Sequence, residues 1–499
     1  ASGAGAPLRV MVITSRFSTY LRYICADLCA ALERLGMTAK LHIEPDDHSV
    51  CSALYHLEAA AAFKPDLLVC PNYTRRDLAG RVPPDVPFVC WVQDAMPHLF
   101  EQDQGEKFGE LDFVLGMIKD ELADRYGYPR SRSLWVPMVA SEQKFASGPA
   151  PAIRTAASVA ADRDVDIAWV THQGGSVEDH FAKLVEQSVR SAPKVEPVLS
   201  SAVGRIERIV ADKPAFVHHE LRQVSEDLVE QIRGIVGTAP ELEQFHNSFV
   251  VSIAERVFRM QTAAWITDMA ERRGWRVRFF GRGWDGNPAF AQYAAGPVEH
   301  DDDLRRCYNS AALHIHASLN QPLHQRVAEC AFSGGLVACR ITRDVFSLLN
   351  GRSIVEAHHA GLLEDDPDMP GFRRASIDGV PQLRRMIDRL RTLGLCGQEE
   401  FAGPFLAWSQ AKIDAELRAD SEIMRAHTDA FESVSDLLFA GPDGLETIAQ
   451  RSIEDESWRA DRSAMLAQQL EPTMGIGSFI ERMLAFVDRG LGKGLPAKR

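Results

Sequence analysis

The chain is 499 residues long, with 45% hydrophobic and 25% charged residues, which is the composition of an ordinary globular protein. This length exceeds what one core usually spans, so we expect two domains with additions. The formal net charge of −14 argues against broad nucleic-acid binding, because contacts to phosphates need a basic surface. No uninterrupted apolar run approaches the length of a membrane-spanning helix, so we expect no transmembrane segment.

Apolar segments typical of buried strands alternate with helical patterns in the first part of the chain. The predicted strands are 8–14, 39–43, 65–70, 88–92, 111–115 and 133–136. Short apolar strands separated by helices indicate a parallel sheet covered on both faces, with ligands at the carboxyl ends of its strands. Residues 1–148 are therefore predicted to form an N-terminal Rossmann-like domain.

A linker of small residues begins at Ala146 and marks the clearest domain boundary. A second Rossmann-like domain is predicted over 164–395, beginning with the strand Val165–Val170. Residues of about 176–250 show helical spacing and few strand signals, so we expect a helical insertion there. Its apolar stripe must be buried against the C-terminal helices, another copy of the chain or a protein acceptor, and we favour the first two. Residues 396–499 are predicted to be helical throughout.

Nine cysteines occur mostly within apolar strand or helix patterns. No Cys-x-x-Cys pair is present, and we expect no secretory leader ahead of them. We therefore expect reduced cysteines in the core of a cytoplasmic protein. The spacing of histidines and cysteines fits no zinc site, so no metal site is predicted.

Two motifs in the second domain carry the chemistry. Residues Phe279–Trp284 predict a buried strand that runs into a glycine turn. Residues Gln321–Gly335 predict a loop that opens a helix ended by two glycines. A glycine turn lets backbone amides approach a phosphate, a helix start favours negative charge, and a carboxylate such as Glu329 can accept both hydroxyls of a ribose. Together the motifs outline a nucleotide-sugar pocket.

The order and spacing of these residues resemble a known family. The elements are Gly281–Trp284, then Asp301–Leu304 with Tyr308 and Asn309, then Pro322, Arg326, Val327, Glu329, Gly334 and Gly335. They resemble the bacterial-type glycosyltransferases of GT-B fold that are grouped with the spore maturation protein CgeB, closely over 274–345 and loosely over the N-terminal domain. The resemblance implies an α/β fold of two Rossmann-like domains whose parallel sheets face a cleft, the first for the acceptor and the second for the nucleotide sugar. It also implies a last helix that crosses back to the N-terminal domain, for which Ile476–Val487 is the candidate.

The same resemblance implies a set of donor-binding residues. They are Gly281, Arg282, Gly283, Trp284, Tyr308, Asn309, His324, Arg326, Val327 and Glu329. For several of them a plainer role stays open from the residues alone. The two glycines could simply form a tight turn, and Glu329 could be an ordinary surface carboxylate. The indole of Trp284 could cover a base or fill the core.

Glycosyl transfer releases a nucleotide phosphate, so the site must hold a diphosphate and neutralise charge on the leaving oxygen. The guanidinium of Arg326 suits this catalytic role, because it is always charged and can clamp two phosphate oxygens. The aspartates 301–303 stand at a helix start, where solvated capping is favoured over metal binding. We therefore predict catalysis without a metal and without a cofactor other than the donor. Retaining relatives have a glutamate where this chain has Gln321, so the stereochemistry is left open.

On the acceptor side, polar residues follow the first and fourth predicted strands. Asp94 comes after the Trp-containing strand, where the family often has an acidic residue, so it is the candidate base for an acceptor hydroxyl. Alternatively, Asp94 is the N-cap of the segment that begins at Ala95. The polar loop after the first predicted strand is Thr14–Arg16. Further polar candidates, each more typical of structural or solvent-facing residues, are His48, His98, His172 and His324.

These observations favour a glycosyltransferase that moves a sugar from a nucleotide-sugar donor to a glycan or a protein acceptor. The alternatives are a nucleotide-sugar epimerase on the same fold and a non-catalytic assembly protein that retains the fold. A serine nucleophile elbow and a Walker loop are absent, which removes the usual hydrolase and NTPase interpretations. The expected partners are the nucleotide sugar, the acceptor and a further copy of the chain bound through the helical additions.

Overall fold

A computed structural model describes most of the chain. The described residues are 6–15, 19–45, 52–94, 96–101, 103–146, 165–189, 193–212, 215–300, 302–319, 321–397, 399–492 and 495. The predicted linker after Ala146 lies outside them. The chain forms two compact units. The first is Ala1–Ala146 with His324–Phe332 and Ala467–Arg499, and the second is Ser147–Leu323 with Ser333–Leu466.

The first unit contains a parallel sheet of six strands. They are β1 (Arg9–Thr14), β2 (Thr38–Ile43), β3 (Leu67–Pro71), β4 (Phe88–Trp91), β5 (Asp112–Leu115) and β6 (Ser133–Leu134). The spatial order is β2-β1-β3-β4-β5-β6, so the chain passes from one side of β1 to the other between β2 and β3. Ligands of such sheets bind at the carboxyl ends of the strands beside this switch point, which are β1 and β3.

The second unit contains another parallel sheet of six strands. They are β7 (Val165–Val170), β8 (Val277–Phe280), β9 (Ala294–Gly296), β10 (Ala311–Ala317), β11 (Val337–Arg340) and β15 (Leu438–Phe439). Their order is β15-β11-β10-β7-β8-β9, the arrangement of dinucleotide-binding Rossmann sheets, with the switch point between β7 and β10. A small antiparallel sheet is formed by β12 (Glu364–Asp365), β13 (Phe372–Ser376) and β14 (Phe405–Ser409).

Helices connect these strands. In chain order they are α1 (Thr19–Arg34), α2 (Ala53–Phe63), α3 (Lys119–Arg125), α4 (Glu142–Phe145), α5 (Val177–Val189), α6 (Glu196–Ala211), α7 (Val217–Val236), α8 (Leu242–Phe245), α9 (Ser252–Arg273), α10 (Asp302–Ser310), α11 (Gln325–Phe332), α12 (Val345–His359), α13 (Pro381–Thr392), α14 (Gln410–Ala419), α15 (Glu422–Ser433), α16 (Pro442–Glu454), α17 (Glu456–Met474) and α18 (Ile476–Leu491). A π-helix, His246–Val251, leads into α9. By its contacts α11 belongs to the first unit, where it packs on α4.

Strand β1 shows how the first sheet buries both of its faces. Side chains alternate along a strand, so Val10 and Val12 join one hydrophobic cluster, which includes residues of α1 and α18. Met11 and Ile13 join the cluster on the other face. A sheet covered on both faces needs strands with a continuous apolar run, and β1 supplies one from Val10 to Ile13.

The last helix, α18, completes the first of these clusters. Its buried residues recur every three or four positions and are Ile476, Phe479, Ile480, Met483 and Val487. This spacing gives one apolar stripe along the helix. The ring of Phe479 stacks on that of Trp91, with 4.6 Å between the centroids. The helix therefore belongs to the core of the first unit although it ends the chain.

The expected fold class is confirmed in its elements: two Rossmann-like parallel sheets, a helical insertion and a helical C-terminal region. The insertion, α5–α8, leaves the second sheet intact, because β7 and β8 pair directly on either side of it. The region after residue 395 is not helical throughout, because it also contains the strands β14 and β15. Strand β15 pairs with β11 over only two residues, too few to give a periodic signal in the sequence.

Two further expectations concern membranes and cysteines. Within the part of the chain that the structure describes, no helix is long and apolar enough to cross a membrane. The eight described cysteines are buried and form no disulfide with one another. Cys51 lies outside the described residues.

We expect Phe479→Ala to destabilise the first unit by about 3–5 kcal/mol, because it removes a fully buried ring and leaves a cavity beside Trp91. Urea unfolding followed by fluorescence measures the change. The matched control is Glu481→Ala on the exposed side of the same helix, which should change the free energy of unfolding by less than about 0.5 kcal/mol. Equal effects of the two substitutions would contradict the packing of α18 on this core.

Candidate functional site

The switch point of the second sheet gathers the loops that follow β7, β8 and β10. The loop after β7 begins at Thr171, the loop after β8 begins at Gly281, and the loop after β10 begins at Ser318. Because the strands are parallel, all three loops lie at the same edge of the sheet. This edge is where sheets of this order bind nucleotides.

Gly281 brings two of these loops into direct contact. Its φ is +137°, and a Cβ atom at this position would lie 2.2 Å from the carbonyl oxygen of Thr171. No side chain fits there without moving backbone. Gly281 is therefore required because the loop after β8 approaches the loop after β7 so closely. This is the structural role that the sequence left open for it as part of a tight turn.

Hydrogen bonds join the same two loops. The backbone N–H of Gln173 donates to the carbonyl of Arg282 at 3.0 Å, and the N–H of Arg282 donates to Nδ1 of His172 at 3.0 Å. The N–H of Gly281 donates to the carbonyl of Gly296. The N–H groups of Gly281 and Arg282 are thus used within the protein. A ligand at this turn would meet the exposed side chain of Arg282 and the exposed backbone of Gly283.

The indole of Trp284 lies in the core. Its side chain is completely buried, and Nε1 donates to the carbonyl of Thr171 at 2.7 Å. The ring packs among Phe279, Trp169 and Phe290. The prediction that Trp284 contacts the donor is therefore corrected, because no face of the ring is available to a base. The residue secures the loop after β7 instead.

A glycine pair follows β7 and leads into a helix. Gly174 and Gly175 have φ of +82° and +90°, and α5 begins two residues later. The hydroxyl of Ser176 accepts the N–H of Asp179 at 3.0 Å and so caps the helix. A glycine turn before a helix start at a switch point is the arrangement that binds phosphates through backbone N–H groups. No local pattern marks these glycines as a binding loop, since only the strand order identifies β7 as the central strand.

Two arginines of α9 fix the carbonyls of this glycine loop. Nε of Arg256 donates to the carbonyl of Gly174 at 3.1 Å, and Nη1 of Arg259 donates to that of His172 at 3.3 Å. Burial lowers the pKa of Arg256 from its ordinary value. The guanidinium groups of Arg256 and Arg259 thus place positive charge next to the loop. Positive charge in this position favours binding of an anionic ligand.

The loop after β10 is held by α9 and by the insertion. Oε1 of Glu255 accepts the hydroxyl of Ser318 at 3.1 Å and the N–H of Leu319 at 3.0 Å. Nε2 of His218, at the start of α7, donates to the carbonyl of Leu319 at 3.1 Å. Both backbone polar groups of Leu319 are therefore satisfied, one by each helix.

The insertion also reaches the loop after β11. The N–H of His218 donates to Oδ1 of Asp344 at 3.1 Å, and the guanidinium of Arg343 lies 4.2 Å from the ring centroid of Phe216. The partner expected for the apolar stripe of the insertion stays a prediction. Part of the insertion packs on the loops at the carboxyl edge of its own sheet, so its deletion would remove contacts from the candidate site.

Tyr308 and Asn309 lie away from this edge, which corrects their prediction as donor-binding residues. They end α10 immediately before β10 begins at Ala311, so they stand at the amino edge of the sheet. Tyr308 is buried, and its carbonyl accepts Nε2 of His314 at 3.0 Å. Asn309 is exposed, and its amide donates to the carbonyl of Arg305. The amino and carboxyl edges of a parallel sheet are separated by the length of its strands.

The predicted residues of α11 belong to the first unit. The N–H of Arg326 donates to Nδ1 of His324 at 3.3 Å, and the guanidinium of Arg326 is half-buried. Val327 is fully buried, so its side chain is a core residue and not a donor contact. Glu329 is 5% exposed, which excludes the ordinary surface carboxylate. Residues three apart on a helix share a face, so Arg326 and Glu329 project from the same side of α11.

Glu329 lies close to acceptor-side residues of the same unit. Burial raises the pKa of Tyr20 well above its ordinary value, and the charges of Glu329 and Asp94 raise it further. The Tyr20 hydroxyl donates to Oε1 of Gln93 at 3.4 Å. Tyr20 is therefore a neutral hydroxyl at physiological pH, bonded to the residue that precedes Asp94.

Asn72, the residue after β3, positions Asp94. Its Nδ2 donates to Oδ2 of Asp94 at 2.9 Å, and its Oδ1 accepts the N–H groups of Gln93 and Asp94 at 2.7 and 3.0 Å. Asn72 has a φ of +62°, which is unusual outside glycine and common at functional sites. Asp94 is exposed, and the short helix that follows begins only at Pro97 and has no side-chain cap. Asp94 is thus held as a presented carboxylate and not as an N-cap.

The remaining candidates have structural roles or lie outside the description. Nε2 of His98 donates to the carbonyl of Asn72 at 2.7 Å, and its ring stacks on Tyr73. Asp302 pairs with Arg305 at 3.0 Å, as expected of a solvated helix start. Arg16, His48 and Asp301 are outside the described residues. Among the residues that are described, no group of three or more His, Cys, Asp or Glu side chains could hold a metal ion.

Residues 259–366 match the model of the family described as Glycosyl transferase-like. No curated protein matches the chain. Among solved structures the chain is similar to Alr3699/HepE of Anabaena, which was crystallised with UDP and glucose. The two chains are 10% identical over 96% of this chain and 99% of that chain, with a TM-score of 0.38. It is also similar to a mutant O-GlcNAc transferase of Thermobaculum terrenum, with 12% identity over 98% and 69% of the two chains and a TM-score of 0.36. The family match spans β8, β10 and α11, and so includes both sequence motifs.

We expect Glu255→Ala to release the loop after β10. The substitution removes two hydrogen bonds to a charged acceptor, each about 1.5–3 kcal/mol, so amide exchange at Leu319 should accelerate tenfold or more. The control is Asp268→Ala, which removes an exposed ion pair with Arg272 on the same helix and should leave that exchange unchanged. Unchanged exchange in Glu255→Ala would show that α9 does not hold the loop.

Proposed function

We propose that this protein is a glycosyltransferase that moves a sugar from a nucleotide-sugar donor to a glycan or a protein acceptor, without a divalent metal. The observation that carries the proposal is the pair of glycine loops at the switch point of the second sheet, within and next to the segment that matches a glycosyltransferase-like family. Such loops bring backbone N–H groups close to a phosphate, and a nucleotide sugar presents two.

The donor is proposed to meet two sets of residues. Gly174, Gly175 and Gly283 are proposed to supply backbone N–H groups, and the exposed side chain of Arg282 a cation, for the diphosphate. Arg326 is proposed to stabilise the leaving phosphate, and Glu329 to accept the ribose hydroxyls. His324, which accepts the N–H of Arg326, orients the start of α11.

The acceptor hydroxyl is proposed to give its proton to Asp94. A general base must be presented to the substrate and held in position, and the amide of Asn72 does the second by donating to Oδ2. This leaves the other carboxylate oxygen of Asp94 for the acceptor. The hydroxyl of Tyr20 donates to Oε1 of Gln93, the residue before Asp94, and so lies in the same region.

Acceptor-dependent product release tests the function. A thermal-shift panel of UDP-, GDP-, CMP- and TDP-sugars identifies the donor, because a ligand that binds only the folded chain raises its melting temperature. With that donor, we expect free nucleotide to be released only when a glycan or peptide acceptor is present. Interconversion of the sugar without an acceptor would indicate an epimerase. Stable binding without any turnover would indicate a non-catalytic protein, and both results would refute the proposal.

We expect Arg326→Ala and Glu329→Ala each to weaken nucleotide binding by about 1.5–3 kcal/mol, the usual contribution of hydrogen bonds to charged groups. Isothermal titration calorimetry of folded variants measures the change. Arg306→Ala is the matched control, since Arg306 is an exposed arginine that pairs with Asp303 on α10. Unchanged nucleotide affinity in both folded variants would remove α11 from the donor site.

We expect Asp94→Asn to lower the transfer rate by about 10²–10⁴, the usual contribution of a general base, while leaving nucleotide affinity unchanged. The amide is isosteric and can still bond Asn72, so the fold is retained, but it cannot take a proton. Asp103→Asn, an exposed aspartate paired with Lys107 in the same unit, is the control. A transfer rate within threefold of the wild type, roughly 0.7 kcal/mol, would exclude Asp94 as the base.

We expect activity to survive EDTA. The leaving-group charge is proposed to be carried by Arg326, and Asp302 and Asp303 are already paired with Arg305 and Arg306. The measurement is the transfer rate before and after chelation, with re-addition of Mg²⁺ or Mn²⁺. Loss of activity that either ion restores would contradict this expectation and would return the aspartates of α10 to consideration.

A further inference from the structure

A separate cavity of about 330 Å³ lies in the second unit, among α12, α13, α15 and β15. Its apolar part is formed by Leu349, Phe431 and Leu438, and its charged part by Arg385, Asp388, Arg389 and Glu432. None of these residues has a role in the proposed transfer. The volume falls in the range of sites for small molecules, which combine an apolar lining with a few polar groups.

The charged residues that line this cavity are two arginines, Arg385 and Arg389, and two carboxylates, Asp388 and Glu432, so the lining carries no net formal charge. Asp388 pairs with Arg384 at 3.3 Å, and Arg384 also pairs with Asp378. What distinguishes the lining is therefore which of its charged groups has a partner in the protein.

One of the two arginines is engaged with the protein. Nη2 of Arg385 donates to Oε1 of Gln382 at 2.5 Å, and the amide of Gln382 donates to Glu432. This chain of hydrogen bonds fixes Glu432 at the wall of the cavity. Burial raises the pKa of Glu432, and the bond from Gln382 opposes that change.

Arg389, the other arginine, is half-buried one helical turn further along α13. Burial lowers its pKa, whereas the charges of Asp436 and Glu432 raise it. Within the described residues its guanidinium forms no hydrogen bond and no ion pair closer than 4 Å. A half-buried guanidinium retains a strong preference for a planar anion that it can bond at two points.

We propose that this cavity binds a small apolar molecule that carries one carboxylate. The carboxylate bonds Arg389, and the apolar body lies on Phe431, Leu349 and Leu438. A monoanion fits better than a phosphate dianion, because Glu432 and Asp388 would repel the second negative charge. Neutral molecules of the same shape would leave the guanidinium without a partner.

Binding of hexanoate to the full chain tests the proposal by calorimetry or ligand-observed NMR. We expect hexanoate to bind, and hexanamide and hexyl phosphate each to bind at least about tenfold more weakly, as expected for a lost or opposed charged hydrogen bond. Absence of hexanoate binding up to about 10 mM, or tighter binding of either analogue, would overturn it.

Variants locate the site independently of any transfer activity. Arg389→Gln should weaken hexanoate binding about tenfold or more, whereas Arg425→Gln, which removes an exposed arginine paired with Asp420 on α15, should not change it. Thr392→Trp, at an exposed position on the rim, should block hexanoate without altering a charge. Nucleotide affinity should be unchanged in all three. Hexanoate binding that persists in both Arg389→Gln and Thr392→Trp would overturn the assignment.

Discussion

The absence of a side chain at Gly281 is the constraint on which the candidate donor site depends. The backbone of the loop after β8 lies against the carbonyl of Thr171, closer than any Cβ atom would permit. The same carbonyl accepts the indole of Trp284, so the contact is fixed from both sides. This approach ties the glycine turn after β8 to the glycine loop after β7. Those are the segments where the strand order predicts a ligand.

Helix α9 carries the second part of this organisation. Glu255, Arg256 and Arg259 extend from its first turns to the loops after β7 and β10. The helix itself is held by Arg340, which lies in the core with no carboxylate among its hydrogen-bond partners. Its Cζ lies 3.6 and 4.0 Å from the ring centroids of Phe258 and Trp265, and burial lowers its pKa to about 9. Stacking and hydrogen bonds to α9 replace an ion pair and lock the helix to the carboxyl edge of the sheet.

The sequence predicted the six strands of the first sheet well, because buried strands are continuous apolar runs that periodicity detects, whereas in the second sheet it did not identify β9, β10 or β15. It predicted the candidate site less well. The sequence pattern around a residue such as Trp284, which follows a glycine turn, is the same whether the ring contacts a ligand or packs in the core. Tyr308 and Asn309 share a motif with the site but stand before β10, and only the direction of that strand places them at the opposite edge. The role of Gly174 and Gly175 depends on the strand order, which local patterns do not contain.

The central claim is that the carboxyl edge of the second sheet binds the nucleotide sugar. Hydrogen–deuterium exchange of the full chain, with and without the nucleotide that gives the largest thermal shift, tests it most directly. We expect protection of the backbone amides of residues 172–175 and of Gly283, which lie where the diphosphate is proposed to bind. Protection confined to other segments, with these amides exchanging at their unliganded rates, would contradict the account.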